Sequence, residues 1–103
     1  MYCVVLVTVK NRREAKGIAR ALIEKRLAAC VNIINNIESL FRWQGKIDSA
    51  LEAMLVIKTK RVKVLKVIKE VKAKHSYDVP EIISLPVSSG FKPYLNWINE
   101  SIR

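Results

Sequence analysis

The 103-residue chain has few of the residues that mark several classes of protein. It contains two cysteines, one histidine, three glycines and three prolines, while half of its residues are apolar. So little glycine and proline, with so many apolar side chains to bury, excludes a disordered or low-complexity chain. Cys3 and Cys30 lie in apolar stretches without CxxC spacing. They indicate buried free thiols rather than a disulfide framework or a structural zinc site.

Long apolar runs are also missing. No stretch approaches the roughly 20 apolar residues that a helix needs to cross a bilayer. The first nine residues have no basic start and no small-residue cleavage site, so they predict a β-strand and not a signal peptide. We therefore expect one domain over residues 1–103, a cytoplasmic location and no membrane partner.

Acidic residues are scarce, because 19 Lys and Arg stand against nine Asp and Glu to give a net charge of +10. Residues 10–26 hold seven basic and two acidic residues, and residues 58–74 hold eight and one. Both segments have helical periodicity, on which lysine stripes are usually solvated faces. The predicted central strands, residues 2–9 and 51–59, carry only Tyr2 as an aromatic, so we expect no specific nucleic-acid partner. The lysine content also predicts a thermostable protein.

The first part of the chain predicts a strand and then a helix. Tyr2–Val9 is almost wholly apolar, which is typical of a strand buried on both faces. Asn11 is a good N-cap, and Glu14 three residues later completes a pattern similar to a capping box. The helix is predicted to reach about Leu27. Its apolar stripe consists of Ala15, Ile18, Ala19, Leu22 and Ile23.

Two long strand-like segments follow, residues 29–43 and 47–59, joined at Gln44-Gly45. Alternation in the first segment slips near Asn35-Asn36, which predicts a bulge. The second segment alternates strictly, which predicts one buried face made of Leu51, Ala53, Leu55 and Ile57.

Both segments are far longer than the usual strand of about five or six residues. The tip of the hairpin carries four large apolar side chains, Leu40, Phe41, Trp43 and Ile47. Because these side chains would be unfavourable in water, we expect the tip to be buried against other subunits.

The second half predicts a helix over residues 61–74, a strand over 79–87 and a closing helix over 91–102. Pro80 and Pro86 cannot donate ladder hydrogen bonds, so they should lie at the ends of the strand or on an open edge. The helix predicted over residues 61–74 has an apolar stripe made of Val64, Leu65, Ile68 and Val71. The order βαββαβ plus a terminal helix predicts an α+β, ferredoxin-like fold: an antiparallel sheet with two helices on one face.

Catalytic motifs are missing from the chain, which contains no P-loop, GxSxG or Ser-His-Asp spacing. The junction after the first strand, residues 8–13, has no glycine that would bring backbone N–H groups onto a phosphate. We therefore expect that the protein is not an enzyme.

The single histidine, His75, ends the second predicted helix within the run His-Ser-Tyr-Asp-Val-Pro-Glu. A histidine there is favoured by the helix dipole without any ligand. As a metal ligand it would need partners, and Cys30, Asp78 and Glu81 are of suitable chemical type. A soft site of cysteine and histidine would suit copper or zinc. One histidine and one cysteine are too few for a closed site unless water or other subunits contribute.

Five short motifs occur in order along the chain. They are Leu27-Ala-Ala-Cys-Val-Asn, Ser39-x-x-x-Trp43-x-Gly-Lys-Ile, Glu52-x-x-x-x-x-Lys58-Thr59, His75-x-Tyr-x-x-Pro80-Glu81 and Tyr94-Leu-x-Trp97. Together they closely resemble the CutA divalent-cation-tolerance family, over essentially the whole chain. The resemblance implies a compact homotrimer in which the long hairpins pair between subunits. It also implies a role in tolerance of, or response to, divalent metal ions, with copper binding proposed for some members.

The resemblance also assigns residues. Cys30 and His75 match the cysteine and histidine of the family motifs and are the expected metal ligands. Four other recurrent positions are expected to line a cleft between subunits, namely Lys58, Tyr77, Glu81 and Trp97. The family is similar to PII-like signalling trimers as well, so a trimeric signalling or scaffold protein with a small molecule or protein in that cleft is the alternative. The chain departs from the family pattern at Lys10 and Ser76, where proline is frequent.

Overall fold

The chain forms four strands and three α-helices in a computed structural model, which describes residues 1–103. The elements are β1 (Tyr2–Val9), α1 (Arg12–Glu24), β2 (Cys30–Trp43), β3 (Lys46–Lys60), α2 (Val64–Lys74), β4 (Ile82–Pro86) and α3 (Lys92–Ser101), with a single 3₁₀ turn over Arg61–Lys63 before α2. This order confirms the predicted βαββαβ pattern with a closing helix. None of the three helices combines the length and apolar composition that crossing a bilayer requires.

The strands form one antiparallel sheet in the order β2-β3-β1-β4, so β1 and β3 are central, as predicted. Alternate side chains of these two strands meet α1 and α2 on one face of the sheet. The fully buried members of this core are Val5, Val7, Val9, Ala15, Ile18, Leu22, Ala53, Leu55, Ile57, Val67 and Val71. The expectation that β1 is buried on both faces is only half met, because Val4 and Leu6 point to the other face and are partly exposed.

Helix α1 begins where the sequence predicts and ends earlier. The side chain of Asn11 accepts a hydrogen bond from the Glu14 N–H at 2.9 Å, which confirms the N-cap. The helix stops at Glu24 because Arg26 adopts a left-handed conformation (φ 55°), and the Leu27 N–H then bonds back to the Leu22 carbonyl at 2.9 Å. Ile23, predicted in the buried stripe, is partly exposed.

The predicted stripe of helix α2 is confirmed at Val71 and at Val64, which packs against the core, but not at Leu65. The buried residues of the helix are Val67 and Val71, whereas Leu65 is 81% exposed. Since each residue of an α-helix turns by about 100°, Leu65 lies about 200° around the axis from Val67 and cannot share its face. Placing Leu65 in the apolar stripe was therefore wrong.

The β2–β3 hairpin confirms two local predictions. The register between the strands shifts between Ile34 and Ile37, where Asn36 has a positive φ of 57°. This is the predicted irregularity. Gln44 and Gly45 both adopt positive φ values, 50° and 78°, as a two-residue type I′ turn requires.

The outer half of the hairpin projects beyond the helices and gives the subunit dimensions of 45 × 26 × 22 Å. Leu40, Trp43 and Ile47 are mostly exposed there. Leu51 is exposed too, contrary to its prediction, because neither helix extends over that part of the sheet. Its neighbour Glu52, which points to the other face, is only 8% exposed.

Strand β4 is shorter than predicted and occupies the edge next to β1. Pro86 is its last residue and Pro80 precedes it, so both prolines lie outside the ladder interior, as expected.

Helix α3 packs on the sheet face opposite α1 and α2. Its Ile98 and the following Ile102 are buried, and Asn99 accepts a hydrogen bond from the Lys60 ammonium at 2.8 Å. Because α3 covers only one end of this face, much of it carries no helix. We call the remaining surface the open face; its apolar members are Val4, Leu6, Ile34, Met54, Val56, Ile83 and Leu85.

We expect Asn11→Ala to lower the free energy of unfolding by about 1 kcal/mol, because the Glu14 N–H loses its acceptor. Chemical denaturation monitored by circular dichroism measures the change. Asn11→Asp is the matched control, since it keeps an acceptor at the cap and should retain most of the stability. Equal losses in both variants would contradict the capping role.

Candidate functional site

His75 ends helix α2, and its imidazole ring is completely shielded from solvent. The Nε2 atom lies 2.8 Å from the carbonyl oxygen of Thr8, and the Tyr77 N–H donates to Nδ1 at 3.0 Å. A neutral ring with its proton on Nε2 satisfies both contacts at once. His75 therefore ties the end of α2 to the end of β1, and neither nitrogen is free for a metal in this arrangement.

Glu14 completes the surroundings of the ring. Its carboxylate lies 3.7 Å from Nδ1 of His75 and accepts a hydrogen bond from the Ser76 hydroxyl at 3.2 Å. The predicted capping box is thus only half formed. The Asn11 side chain caps the helix, but the carboxylate of Glu14 accepts from Ser76 in the α2–β4 connection and not from the backbone N–H of Asn11.

Tyr77 turns its hydroxyl toward the sheet and donates a hydrogen bond to Glu52 at 2.9 Å. Burial, the hydrogen bond to Glu52, and the negative charges of Glu52 and Glu14 raise the pKa of Tyr77 to about 12. The phenol therefore stays a donor at any physiological pH, and it holds the carboxylate of Glu52 in place.

A cavity of about 580 Å³ opens beside this pair. We call it the Tyr77 cleft; its lining residues are Thr8, Glu38, Ser39, Leu40, Phe41, Glu52, Tyr77, Val79 and Glu81. It brings together two of the predicted cleft residues, Tyr77 and Glu81. Three carboxylates on its wall, with one phenol donor, favour a ligand that carries positive charge or hydrogen-bond donors.

A second group forms around Cys30 at the other end of the sheet. The ammonium of Lys58 lies 3.9 Å from the Cys30 sulfur and also donates to the side chain of Asn32. Tyr94 of α3 is adjacent, and burial together with the neighbouring Cys30 raises the pKa of its hydroxyl. Trp97 stacks against Tyr94 with 5.5 Å between the ring centroids. The other two predicted cleft residues, Lys58 and Trp97, therefore belong to this Cys30 cluster.

The two groups are separate within one subunit. Cys30 pairs with Lys58 of β3, whereas the Thr8 residue that His75 contacts pairs with Met54. Four residues of strand span about 13 Å at a rise of about 3.3 Å each. No three His, Cys, Asp or Glu side chains converge closely enough to hold a metal ion. Cys30 and His75 thus do not fit a joint metal site in a single subunit.

Several residues of these groups were not assigned from the sequence, namely Thr8, Glu14, Asn32, Glu38, Glu52 and Tyr94. Glu52 carried a usable signal, because it is the only polar residue between positions 50 and 57. Asn32 and Tyr94 stand in the motifs quoted above but were given no role. Thr8, Glu14 and Glu38 gave no signal of a site, since only the tertiary fold brings them to His75 or the Tyr77 cleft.

The fold and these groups define a small ferredoxin-like α+β protein with a projecting hairpin and a buried histidine junction. The sequence model of the CutA1 divalent ion tolerance protein family matches residues 3–101. The chain therefore belongs to the CutA1 family, as the motifs predicted.

Full-length similarity extends to archaeal and bacterial proteins. The divalent-cation tolerance protein CutA of Archaeoglobus fulgidus is 44% identical over 103 residues, which is 100% of both chains. That of Thermus thermophilus is 46% identical over 98 residues, covering 95% of each. The solved structure described as the periplasmic divalent cation tolerance protein CutA from Archaeoglobus fulgidus superposes with a TM-score of 0.97 over 100% of both chains.

Plant relatives are longer. The chloroplastic protein CutA of Arabidopsis thaliana is 45% identical over 100 residues, which cover 97% of this chain and 55% of the relative. The chain thus spans about half the length of the plant relatives that it matches. Relatives are described as chloroplastic in one case and periplasmic in another, so they do not confirm the cytoplasmic location. That location stays a prediction.

We expect Glu52→Gln to lower the pKa of Tyr77 from about 12 toward its ordinary value of 10, because the variant removes a negative charge beside the phenol. Ultraviolet titration of tyrosinate measures the shift, and Tyr77→Phe identifies the transition. Glu38→Gln is the matched control, because Glu38 lines the same cleft without contacting the hydroxyl. An unchanged titration in Glu52→Gln would contradict the assignment.

The raised pKa of Tyr77 also makes the stability of the fold depend on pH. Because folding raises the pKa of Tyr77 above 10, its contribution to stability is complete below pH 10 and is lost as the pH rises to about 12. The unfolding free energy of the wild type should therefore fall more steeply over this window than that of Tyr77→Phe.

Proposed function

We propose that this protein is a non-catalytic homotrimer that acts in the cytoplasm in tolerance of divalent metal ions. Membership in the CutA1 family, whose relatives are named for divalent-cation tolerance, is the observation that carries the role. The thermostability predicted from the lysine content belongs to the same proposal.

The trimeric state is supported by apolar surface that one subunit leaves uncovered. Ile34, Ile83 and Leu85 of the open face are each about half exposed. The hairpin tip adds Leu40, Trp43 and Ile47. Contiguous apolar surface of this kind is typical of a subunit interface. The number three comes from the family resemblance.

For metal binding, we propose Cys30 as the principal ligand of copper or a similar soft ion. Its thiol is partly exposed and lies on the same side of the sheet as the open face, at the end next to α3. The remaining ligands then have to come from water or from other subunits, since the chain assembles no set of three around it. His75 could join only if the Tyr77 N–H released its Nδ1 atom.

The alternative is a PII-like signalling or scaffold trimer in which the Tyr77 cleft binds a small molecule or protein. The size of the cavity, about 580 Å³, and its fixed Tyr77–Glu52 pair favour this second function. Because the outer hairpin residues Leu40 and Phe41 form one wall, association of hairpins between subunits would close the cleft further.

Assembly is tested by light scattering after size-exclusion chromatography. We expect a molar mass about three times the 11.8 kDa of the chain. Trp43→Glu with Ile47→Glu should lower it, because charges would enter an apolar contact. Leu65→Glu is the control, because Leu65 is an even more exposed apolar residue on the helical side. A stable wild-type monomer would contradict the proposal.

Metal binding is tested by calorimetric titration of copper and zinc into the assembled protein. Cys30→Ala should lower the affinity for copper by at least about tenfold. Cys3→Ala is the matched control, because that thiol is buried in the core. His75→Ala decides whether the histidine contributes. Unchanged affinity in both Cys30→Ala and His75→Ala would rule out a metal site at these residues.

A further inference from the structure

The outward side of α2 exposes two large apolar side chains that no other part of the subunit covers. Val62, in the 3₁₀ turn before the helix, is 78% exposed, and Leu65 is 81% exposed. Leu65 lies about 200° around the helix axis from the buried Val67, and Val62 lies one turn earlier, before the helix begins. Packing inside the subunit therefore does not explain them.

Cations surround these two side chains. Arg61, Lys66 and Lys69 are all exposed, and Lys69 lies on the same side of the helix, one turn beyond Leu65. None of the three makes an ion pair within the subunit. We call the surface made of Arg61, Val62, Leu65, Lys66 and Lys69 the α2 patch.

No carboxylate neutralises the α2 patch from its own segment. Glu70 is the only acidic residue between positions 58 and 74. Its carboxylate turns toward α1, where Lys25 lies at 2.8 Å, and the ammonium of Lys74 is 3.6 Å away. The hydrogen bond from Lys25 lowers the pKa of Glu70, so this carboxylate stays ionised and remains paired with Lys25 and Lys74. The outward surface of α2 is therefore positive throughout.

The α2 patch also lies apart from the surfaces used so far. It belongs to the helical layer, whereas the open face is on the opposite side of the sheet. Subunits that associate through the open face and the hairpin would leave α2 directed outward. The patch remains available to another partner.

We propose that the α2 patch binds the surface of a lipid bilayer that contains anionic phospholipids. The three cations would contact the headgroup phosphates, while Val62 and Leu65 would enter the boundary between headgroups and acyl chains. Exposed apolar side chains framed by lysine are typical of peripheral membrane binding. This inference departs from the expectation of no membrane partner, because the sequence pattern placed Leu65 in the core.

Two other partners fit the patch less well. A duplex nucleic acid would attract the lysines but gain nothing from Val62 and Leu65, which would face its phosphates. A second copy of the chain on this face would oppose like charges. Of these three partners, the bilayer surface is the one that uses both the cations and the apolar side chains of the patch.

Co-sedimentation with vesicles tests the proposal. We expect the wild type to bind vesicles of phosphatidylcholine and phosphatidylserine at about 3:1, and to bind phosphatidylcholine alone far less. Lys66→Gln with Lys69→Gln should weaken binding by about fivefold per lysine. Val62→Gln with Leu65→Gln should weaken it by about tenfold, since the apolar contribution is lost. Both effects should be seen at the same salt concentration.

Phe91→Gln is the matched control, because Phe91 is a similarly exposed apolar residue before α3, away from the patch. The single variant Leu65→Gln, checked for folding by circular dichroism, replaces the double variant if the latter loses structure. Wild-type binding to anionic vesicles that Val62→Gln with Leu65→Gln leaves unchanged would overturn the proposal. So would binding to a DNA duplex without binding to vesicles.

Discussion

Helices α1 and α2 cover one face of the four-stranded sheet and extend over only part of its length. The core therefore forms where Val5, Leu55 and Ile57 meet the helices, and burial stops where the helices stop. The opposite face, apart from the end under α3, and the outer hairpin remain apolar and uncovered. Uncovered apolar surface of this kind is typical of subunit interfaces, and it supports the proposed assembly.

The connection from α2 to β4 depends on a small buried polar network. His75 accepts from the Tyr77 N–H and donates to the Thr8 carbonyl, so that the end of a helix is fixed to the end of a strand. Tyr77 in turn holds Glu52 on β3. Buried polar groups are costly unless paired, and here each partner satisfies another. The same network that stabilises the junction also shapes one wall of the Tyr77 cleft.

Local features followed the sequence closely. The N-cap at Asn11, the bulge near Asn36 and the turn at Gln44-Gly45 depend on neighbouring residues alone, and each was predicted. The site was predicted only in part. Its residue types were found through motifs, yet their grouping was not, because Tyr77 and Glu81 lie in one cleft while Lys58 and Trp97 lie with Cys30. Distances between residues far apart in sequence depend on the register of the paired strands. The hydrophobic periodicity of each segment does not predict that register.

The amino-acid sequence by itself determined the element order, the exclusion of Pro80 and Pro86 from the ladder interior, and membership in the CutA1 family. Periodicity, proline chemistry and motif order are local properties and need no coordinates. Only the tertiary structure decided the orientation of α2, which exposes Leu65, and the use of both nitrogens of His75. The physical reason is that a helix's rotation and a buried side chain's partners are set by what packs against them, and those partners come from distant segments of the chain.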